Sequence, residues 1–447
     1  MGYTTRTGRR PNEYASKSAH AYVIKDPTVQ AFLAGCETPK KAECVDLSTQ
    51  EHLIADRSVS NPIKHVIAID GGYSEVIVRP EFPSATICFF QFGALIFGID
   101  DLESLEQSPF IDPEDMGKLK RIQRIKLTLP VKNVALKGAE TLTNSIRLAV
   151  YNFFKQEMDD GQLLETLRWF LFEEYDKPTD VWILASCPSC PTANVPLSRT
   201  AMSADGRFCC SACSAPIYLT DVFRLHEAVD DELGAGGILG YVTTTLEQLI
   251  LVHFIRLVMK TKPSLLEDIL FIKDGPLAFF GQTANMQKPM RRLVDFLFRE
   301  HNFFLAGLEK SGPFVEHAHE IEPLLNLGQV MILDNDYIYR YVIPGKADPA
   351  NPYGRTTYYG NKLIFKAYTG SLHVITLPTE GVLSHPKPSD FHNLDVVLLN
   401  VGKLKCDMYD DSLVPVALVN KLVSLANHPS ARILQKFARK SMANGSS

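Results

Sequence analysis

Two apolar runs far apart in the chain end in the same way. Ile63-Lys-His-Val-Ile-Ala-Ile-Asp70-Gly-Gly and Asp268-Ile-Leu-Phe-Ile-Lys-Asp274-Gly-Pro each read as a short strand that closes on an aspartate followed by glycine. In an open α/β sheet, functional groups gather just beyond the carboxyl ends of the strands. A carboxylate there is half out of the core and free to hold a hard cation, and the glycine lets a phosphate approach the backbone. Mg²⁺ or Mn²⁺ suits such oxygens and keeps open positions for water and phosphate. The ion can then polarise a phosphodiester and activate a water. A third acid is needed. Glu247, in Thr243-Thr-Thr-Leu-Glu-Gln-Leu, lies on the helix that feeds the second run, and Glu267 and Asp268 compete for the place.

The elements around these runs predict an α/β fold. Residues 1–60 read as an arm, with Arg6, Arg9, Arg10 and Lys17 at its tip and a short helix near Pro27–Leu33. Thr86–Ile99 reads as further strand. Glu140–Tyr175 carries apolar residues at helical spacing, and Thr243–Lys260 and Gln287–His301 are helical patterns. Later runs are expected as strands: Phe303–Gly307, Val330–Leu333, Tyr337–Ile343, Tyr358–Ala367 and Leu372–Leu377. Val414–Ala426 and Ser430–Met442 read as closing helices. With 447 residues, two or three domains are expected. The division read here is an arm (1–60), a main domain in two parts (61–180 and 217–447) and a small insertion (181–216).

That insertion is marked by Cys187-Pro-Ser-Cys190 and Cys210-Ser-Ala-Cys213, two C-x-x-C pairs separated by 19 residues. The spacing fits a four-thiolate zinc ribbon, each pair giving two sulfurs to one tetrahedral ion. A closed four-sulfur site leaves no position for water, so its role is structural or partner-binding. Cys209 reads as the spare thiol, and Cys36, Cys44, Cys88 and Cys406 as ordinary buried ones. Nine cysteines, an odd number, argue against a secreted disulfide scaffold.

A formal charge of −5 excludes a chain that coats nucleic acid by its net charge. Local basic patches remain: Lys118–Lys137, then Lys288, Arg291, Arg292 and Arg299, then Arg432, Lys436, Arg439 and Lys440. Phe279-Phe280, Phe303-Phe304 and Tyr358-Tyr359 are pairs able to stack on bases, although core packing is their commoner use. The N-terminus lacks an apolar signal segment. Ala85–Ile99, the longest apolar stretch, is 15 residues where a membrane span needs about 20. A cytoplasmic protein without a membrane anchor is expected.

Taken in order, the motifs resemble those of the NurA nuclease family. Val66-Ile-Ala-Ile-Asp70-Gly-Gly and Ile269-Leu-Phe-Ile-Lys-Asp274-Gly-Pro-Leu are similar to its two acidic strands. Leu305-Ala-Gly-Leu-Glu-Lys310-Ser-Gly is similar to its Gly-x-x-Lys-Ser segment, and Val414-Pro-Val-Ala-Leu-Val-Asn420-Lys-Leu to its closing helix. The resemblance spans about residues 60–430. It implies an RNase H-like mixed sheet core with flanking helices and a Mn²⁺-dependent nuclease acting on DNA ends. A toroidal homodimer docked on a hexameric HerA-type ATPase is implied as well. The metal-binding acids would be Asp70, Asp274 and, as helix acid, Glu247, with Lys310 near the scissile phosphate. Two features depart from the family: the cysteine insertion, and Asn420 where a histidine is usual, with His428 eight residues on as a substitute. No G-x-x-x-x-G-K-[ST] loop occurs, so a motor would be another chain. A non-catalytic adaptor with the same fold is the alternative reading, and a zinc-ribbon nucleic-acid-binding protein without hydrolysis is a third.

Overall fold

Along the chain, helices α1 (Lys17–Lys25) and α2 (Pro27–Ala34) and strand β1 (Glu51–Ile54) precede a long hairpin, β2 (His65–Arg79) with β3 (Ala85–Gly98). Strand β4 (Gln123–Lys132) and helices α3 (Leu142–Phe154) and α4 (Leu163–Leu171) follow. Two small hairpins come next, β5 (Val181–Ser186) with β6 (Ala193–Ser198) and β7 (Arg207–Cys209) with β8 (Pro216–Tyr218). Helix α5 (Leu239–Thr261) leads into β9 (Ile269–Asp274), α6 (Gln287–Glu300) into β10 (Phe304–Glu309), and α7 (Pro313–Ile321) into β11 (Gln329–Ile332). The chain continues through β12 (Gly360–Lys366), β13 (Leu372–Pro378), α8 (Leu394–Lys403), α9 (Val414–Val423) and α10 (Ser430–Asn444). This computed structural model describes residues 17–36, 44–48, 50–81, 83–99, 123–406, 409, 412–425 and 430–444. The basic residues Arg6, Arg9, Arg10, Lys118, Lys120 and Arg121, and His428, lie outside the described residues.

Nine strands form one mixed sheet in the order β1-β11-β12-β13-β10-β9-β2-β3-β4. β10, β9 and β2 are parallel neighbours, and every other pairing is antiparallel. The parallel centre explains the composition of β9. Its Ile269-Leu-Phe-Ile is buried on both faces, so no polar alternation is left in it. Glu51–Ile54, within the segment read as an arm, pairs with β11 at the sheet edge.

The strand before Asp70 runs on past the acid, contrary to the reading of Asp70 as a strand end. β9 pairs with β2 only from His65 to Ile69, whereas β3 pairs with it from His65 to Arg79. The antiparallel partner holds Gly71-Gly72 extended. Beyond them the burial alternates, as one face of the hairpin turns outward. Asp70 therefore stands in mid-strand, at the level where the parallel neighbour stops.

Alternation along β2 and β9 sorts the core into two layers. Ile67, Ile69 and Phe271 pack with Leu246, Leu249 and Ile250 of α5 on one face. Val66, Ala68, Leu270 and Ile272 pack with Val397, Val401, Val416 and Val419 of α8 and α9 on the other. Helix α5 is long and apolar enough to cross a membrane, but most of it is buried here, which accounts for its apolar residues on nearly every side. The strand expected over Tyr337–Ile343 is helical instead, a short turn at Asn335–Tyr337 followed by a π-turn at Ile338–Val342. The Asp334 side chain caps it by accepting from the Tyr337 N–H at 2.7 Å, and the Tyr337 ring packs at a tilt against Tyr341 one turn on. Alternating apolar residues over so short a run suit either period.

Helix α9 lies directly on the hairpin because two glycines let it. A Cβ on Gly72 would sit 2.9 Å from the Val423 carbonyl oxygen, and one on Gly93 would sit 2.7 Å from the Val423 Cγ1. Gly72→Ala should push α9 off the sheet and cost about 1–3 kcal/mol. Denaturant unfolding should show a lowered midpoint, while Gly240→Ala, whose Cβ meets nothing within 4 Å, should not lower it.

Candidate active site

The centre of the sheet carries the acids. Asp70 is 3% exposed on β2, and Asp274 closes β9, the adjacent parallel strand. Beyond Asp274 the chain turns sharply at Gly275, whose φ of +83° suits glycine, and its N–H donates to the Leu308 carbonyl. Glu247 reaches the same place from α5 on the opposite face. Its Oε1 would lie 3.2 Å from a Cβ on Gly71, so the glycine beside Asp70 makes room for this carboxylate. Asp268, the competitor, pairs with Lys64 at 3.0 Å just before β9 begins, at the other end of that strand.

Each acid has a different partner. Asp70 Oδ1 accepts from the Gly71 N–H at 2.8 Å, while Oδ2 is buried without a hydrogen-bond donor. Glu247 Oε2 meets Lys273 Nζ at 2.9 Å, and Asp274 Oδ2 meets Lys310 Nζ at 2.7 Å. Burial pushes the Asp70 carboxyl up to about 8, reinforced by the Asp274 and Glu247 charges, with Lys310 and the Asn420 side chain pulling the other way. Burial also raises Glu247, against the opposing effect of Lys273. Asn420, noted as a departure from the histidine of the family, is thus carried by α9 to Asp70. Lys273 went unremarked in the sequence, although a lone lysine inside Ile269-Leu-Phe-Ile-Lys is an audible signal of a buried counter-charge.

Four cysteines form a second centre. Cys187 and Cys190 lie in the β5–β6 connection, and Cys210 and Cys213 in the β7–β8 connection. Cys187 Sγ is 3.8 Å from Cys213 Sγ, and Cys190 Sγ is 3.8 Å from Cys210 Sγ. Sulfurs bound tetrahedrally at about 2.3 Å stand about 3.8 Å apart, so the spacing fits one ion. Among the described residues this is the one group of three or more His, Cys, Asp or Glu whose ligand atoms all lie within 4.8 Å of one another. The carboxylates of Asp70, Glu247 and Asp274 stand wider. Cys209 is exposed and outside the group; Cys88 and Cys406 are buried, but Cys36 and Cys44 are exposed, contrary to their reading as buried thiols.

Comparison with known proteins returns distant matches only. No family model matches the sequence, and no curated protein does. Among the solved structures that align over nearly the whole chain are three of NurA. That from Sulfolobus solfataricus has 8% identity and a TM-score of 0.34, covering 96% of this chain and 98% of its own. A NurA with manganese has 11% identity and a TM-score of 0.29, covering 94% and 96%. A third NurA has 10% identity and a TM-score of 0.25, with the same coverage. What the centre can do follows from its own residues.

Several surface residues proposed from sequence are committed elsewhere. Arg292 pairs with Glu173 at 2.6 Å, Arg299 with Asp176 at 2.7 Å, and Arg291 donates to the carbonyls of Tyr358 and Arg355. Arg124 and Lys126 project from the exposed side of β4, and Arg432, Lys436, Arg439 and Lys440 from α10. Phe279, Phe303, Phe304, Tyr358 and Tyr359 are buried and pack the core.

Ionising Asp70 is harder in the folded chain than in the unfolded one, where a carboxyl titrates near 3.8. The stability held by its protonated form is full below that value and is lost as pH rises towards 8. Asp70→Asn should therefore gain on the parent chain between pH 4 and pH 8 when no divalent metal is added. Thermal unfolding of the two proteins across that range checks it; parallel curves would refute the shift.

Proposed function

We propose that this chain is a metal-dependent deoxyribonuclease of the NurA kind, hydrolysing phosphodiester bonds at DNA ends. The observation that carries the reading is Asp70: a carboxylate buried in the sheet with one oxygen unpartnered, beside Asp274 and near Glu247. Such a group is costly unless a cation meets it. The donor set, all carboxylate oxygen, fits Mn²⁺ or Mg²⁺ held by Asp70 and Asp274 with Glu247 close by. Bound there, the ion would polarise the phosphodiester and lower the pKa of a water. Lys310, half-buried on Asp274, supplies a positive charge for the developing negative charge on phosphate. Asn420, at the closing-helix position where a histidine is usual in the family, puts a neutral side chain near Asp70.

The finer parts of the reading belong with it. The order β4-β3-β2-β9-β10, three antiparallel strands leading into a parallel pair, supports an RNase H-like core. The four sulfurs support a structural Zn²⁺ ribbon. A HerA-type hexameric ATPase is proposed as the motor that feeds DNA, because the chain has no phosphate-binding G-x-x-x-x-G-K-[ST] loop of its own, and a cytoplasmic homodimer as the working form. The adaptor reading draws on the lysines that already occupy Glu247 and Asp274.

Linear DNA incubated with the chain and Mn²⁺ should be degraded. Asp70→Asn with Asp274→Asn should reduce the rate to background, and Lys310→Met should cost about 10²–10³-fold. Activity surviving in the double variant would sink the metal site. A chain inert with Mn²⁺ and a partner motor would establish the adaptor. The ribbon is checked separately by metal analysis: about one zinc per chain, lost in Cys187→Ser.

A further inference from the structure

We propose that the Lys273 ammonium takes the place of a second metal ion, so that the acidic centre binds one divalent cation, on Asp70 and Asp274. The inference rests on the metal-dependent reading above and concerns how many ions that centre admits.

Lys273 sits in the middle of the sheet, opposite Ile69 of β2 and Gly307 of β10, and is 2% exposed. Ile269 and Phe271, its neighbours in the alternation, face α5, and so does Lys273. Its Nζ reaches Glu247 Oε2 at 2.9 Å and also donates to the Asp274 carbonyl. Glu247 is itself 5% exposed. A carboxylate buried that deeply needs a counter-charge at contact distance, and this one already has it. A metal ion taking Glu247 as a ligand would have to displace a fully buried ammonium flanked by a strand on each side, whereas the ammonium on Asp274, that of Lys310, is partly exposed. Asp70 and Asp274 belong to the opposite face of the alternation, with Leu270 and Ile272. The three carboxylates are also too widely spaced to surround one ion together.

The charge count points the same way. With Asp70 deprotonated, as a metal ligand must be, three carboxylates and the two ammonium groups of Lys273 and Lys310 leave one negative charge. A single divalent ion turns this into one positive charge, which one phosphodiester neutralises. A second ion would leave a surplus of two positive charges in a buried site, where uncompensated charge is most costly.

The test counts ions in the full chain with its zinc retained. Isothermal titration with Mn²⁺ should show one more saturable site in the parent chain than in Asp70→Asn, and electron paramagnetic resonance should show an isolated Mn²⁺. Two such sites, or a spin-coupled pair, would overturn the inference while leaving the nuclease reading intact. No site at all would overturn both. Lys273→Gln frees Glu247 and should raise the count to two, whereas Lys273→Arg should keep it at one. A Lys273→Gln chain that folds and still binds one ion would also refute the substitution. Should that variant fail to fold, the parent count alone decides.

Discussion

The parallel pairing of β2 with β9 is the contact on which the rest depends. It sets Asp70 beside Asp274 at the level where β9 ends, and it does so inside the sheet. Burying carboxylates there is unfavourable by several kcal/mol per group unless each is paired. The surrounding structure answers that cost one acid at a time: Lys273 for Glu247, Lys310 for Asp274, and for Asp70 a backbone N–H on one oxygen with the Asn420 side chain close by. The unanswered oxygen is the feature that sets Asp70 apart from its two paired neighbours.

Access to that place is governed by small residues. Gly71 admits Glu247 from one face, and Gly72 with Gly93 admits the end of α9 on the other, which brings Asn420 to Asp70. Glycines beside an acid are easily credited to phosphate binding. Here they are spent on close approach by protein groups, and the fold is tighter around the carboxylates for it.

The cysteine module is joined to this body, not hung from it. Leu184, Val195, Leu197, Phe208 and Ile217 lie in the same core as α3 and α4. Arg147 of α3 grips Asp221 through two hydrogen bonds at 2.9 and 2.8 Å and donates to the Pro216 carbonyl. Tyr151 stacks on Tyr218, with ring centroids 4.3 Å apart. The two hairpins thus share one core with α3 and α4, and α4 packs against α5, the helix that carries Glu247.

The sequence by itself determined what depends on neighbours along the chain. The C-x-x-C spacing placed the sulfurs in pairs, since each pair is set within one turn. The apolar runs before Asp70 and Asp274 announced central strands, because only a strand buried on both faces loses its polar alternation. The helical periods of α5 and α6 were legible for the same local reason. Tertiary structure decided what depends on partners. β3 carried β2 beyond Asp70, and an Asp334 cap turned Tyr337–Ile343 into helix where alternation suggested strand. Glu247 joined the acids, but tied to a lysine from the next strand, and Arg292 and Arg299 went to ion pairs with Glu173 and Asp176. A residue's type and spacing fix which charges must be met; only the packed fold decides which group meets each one.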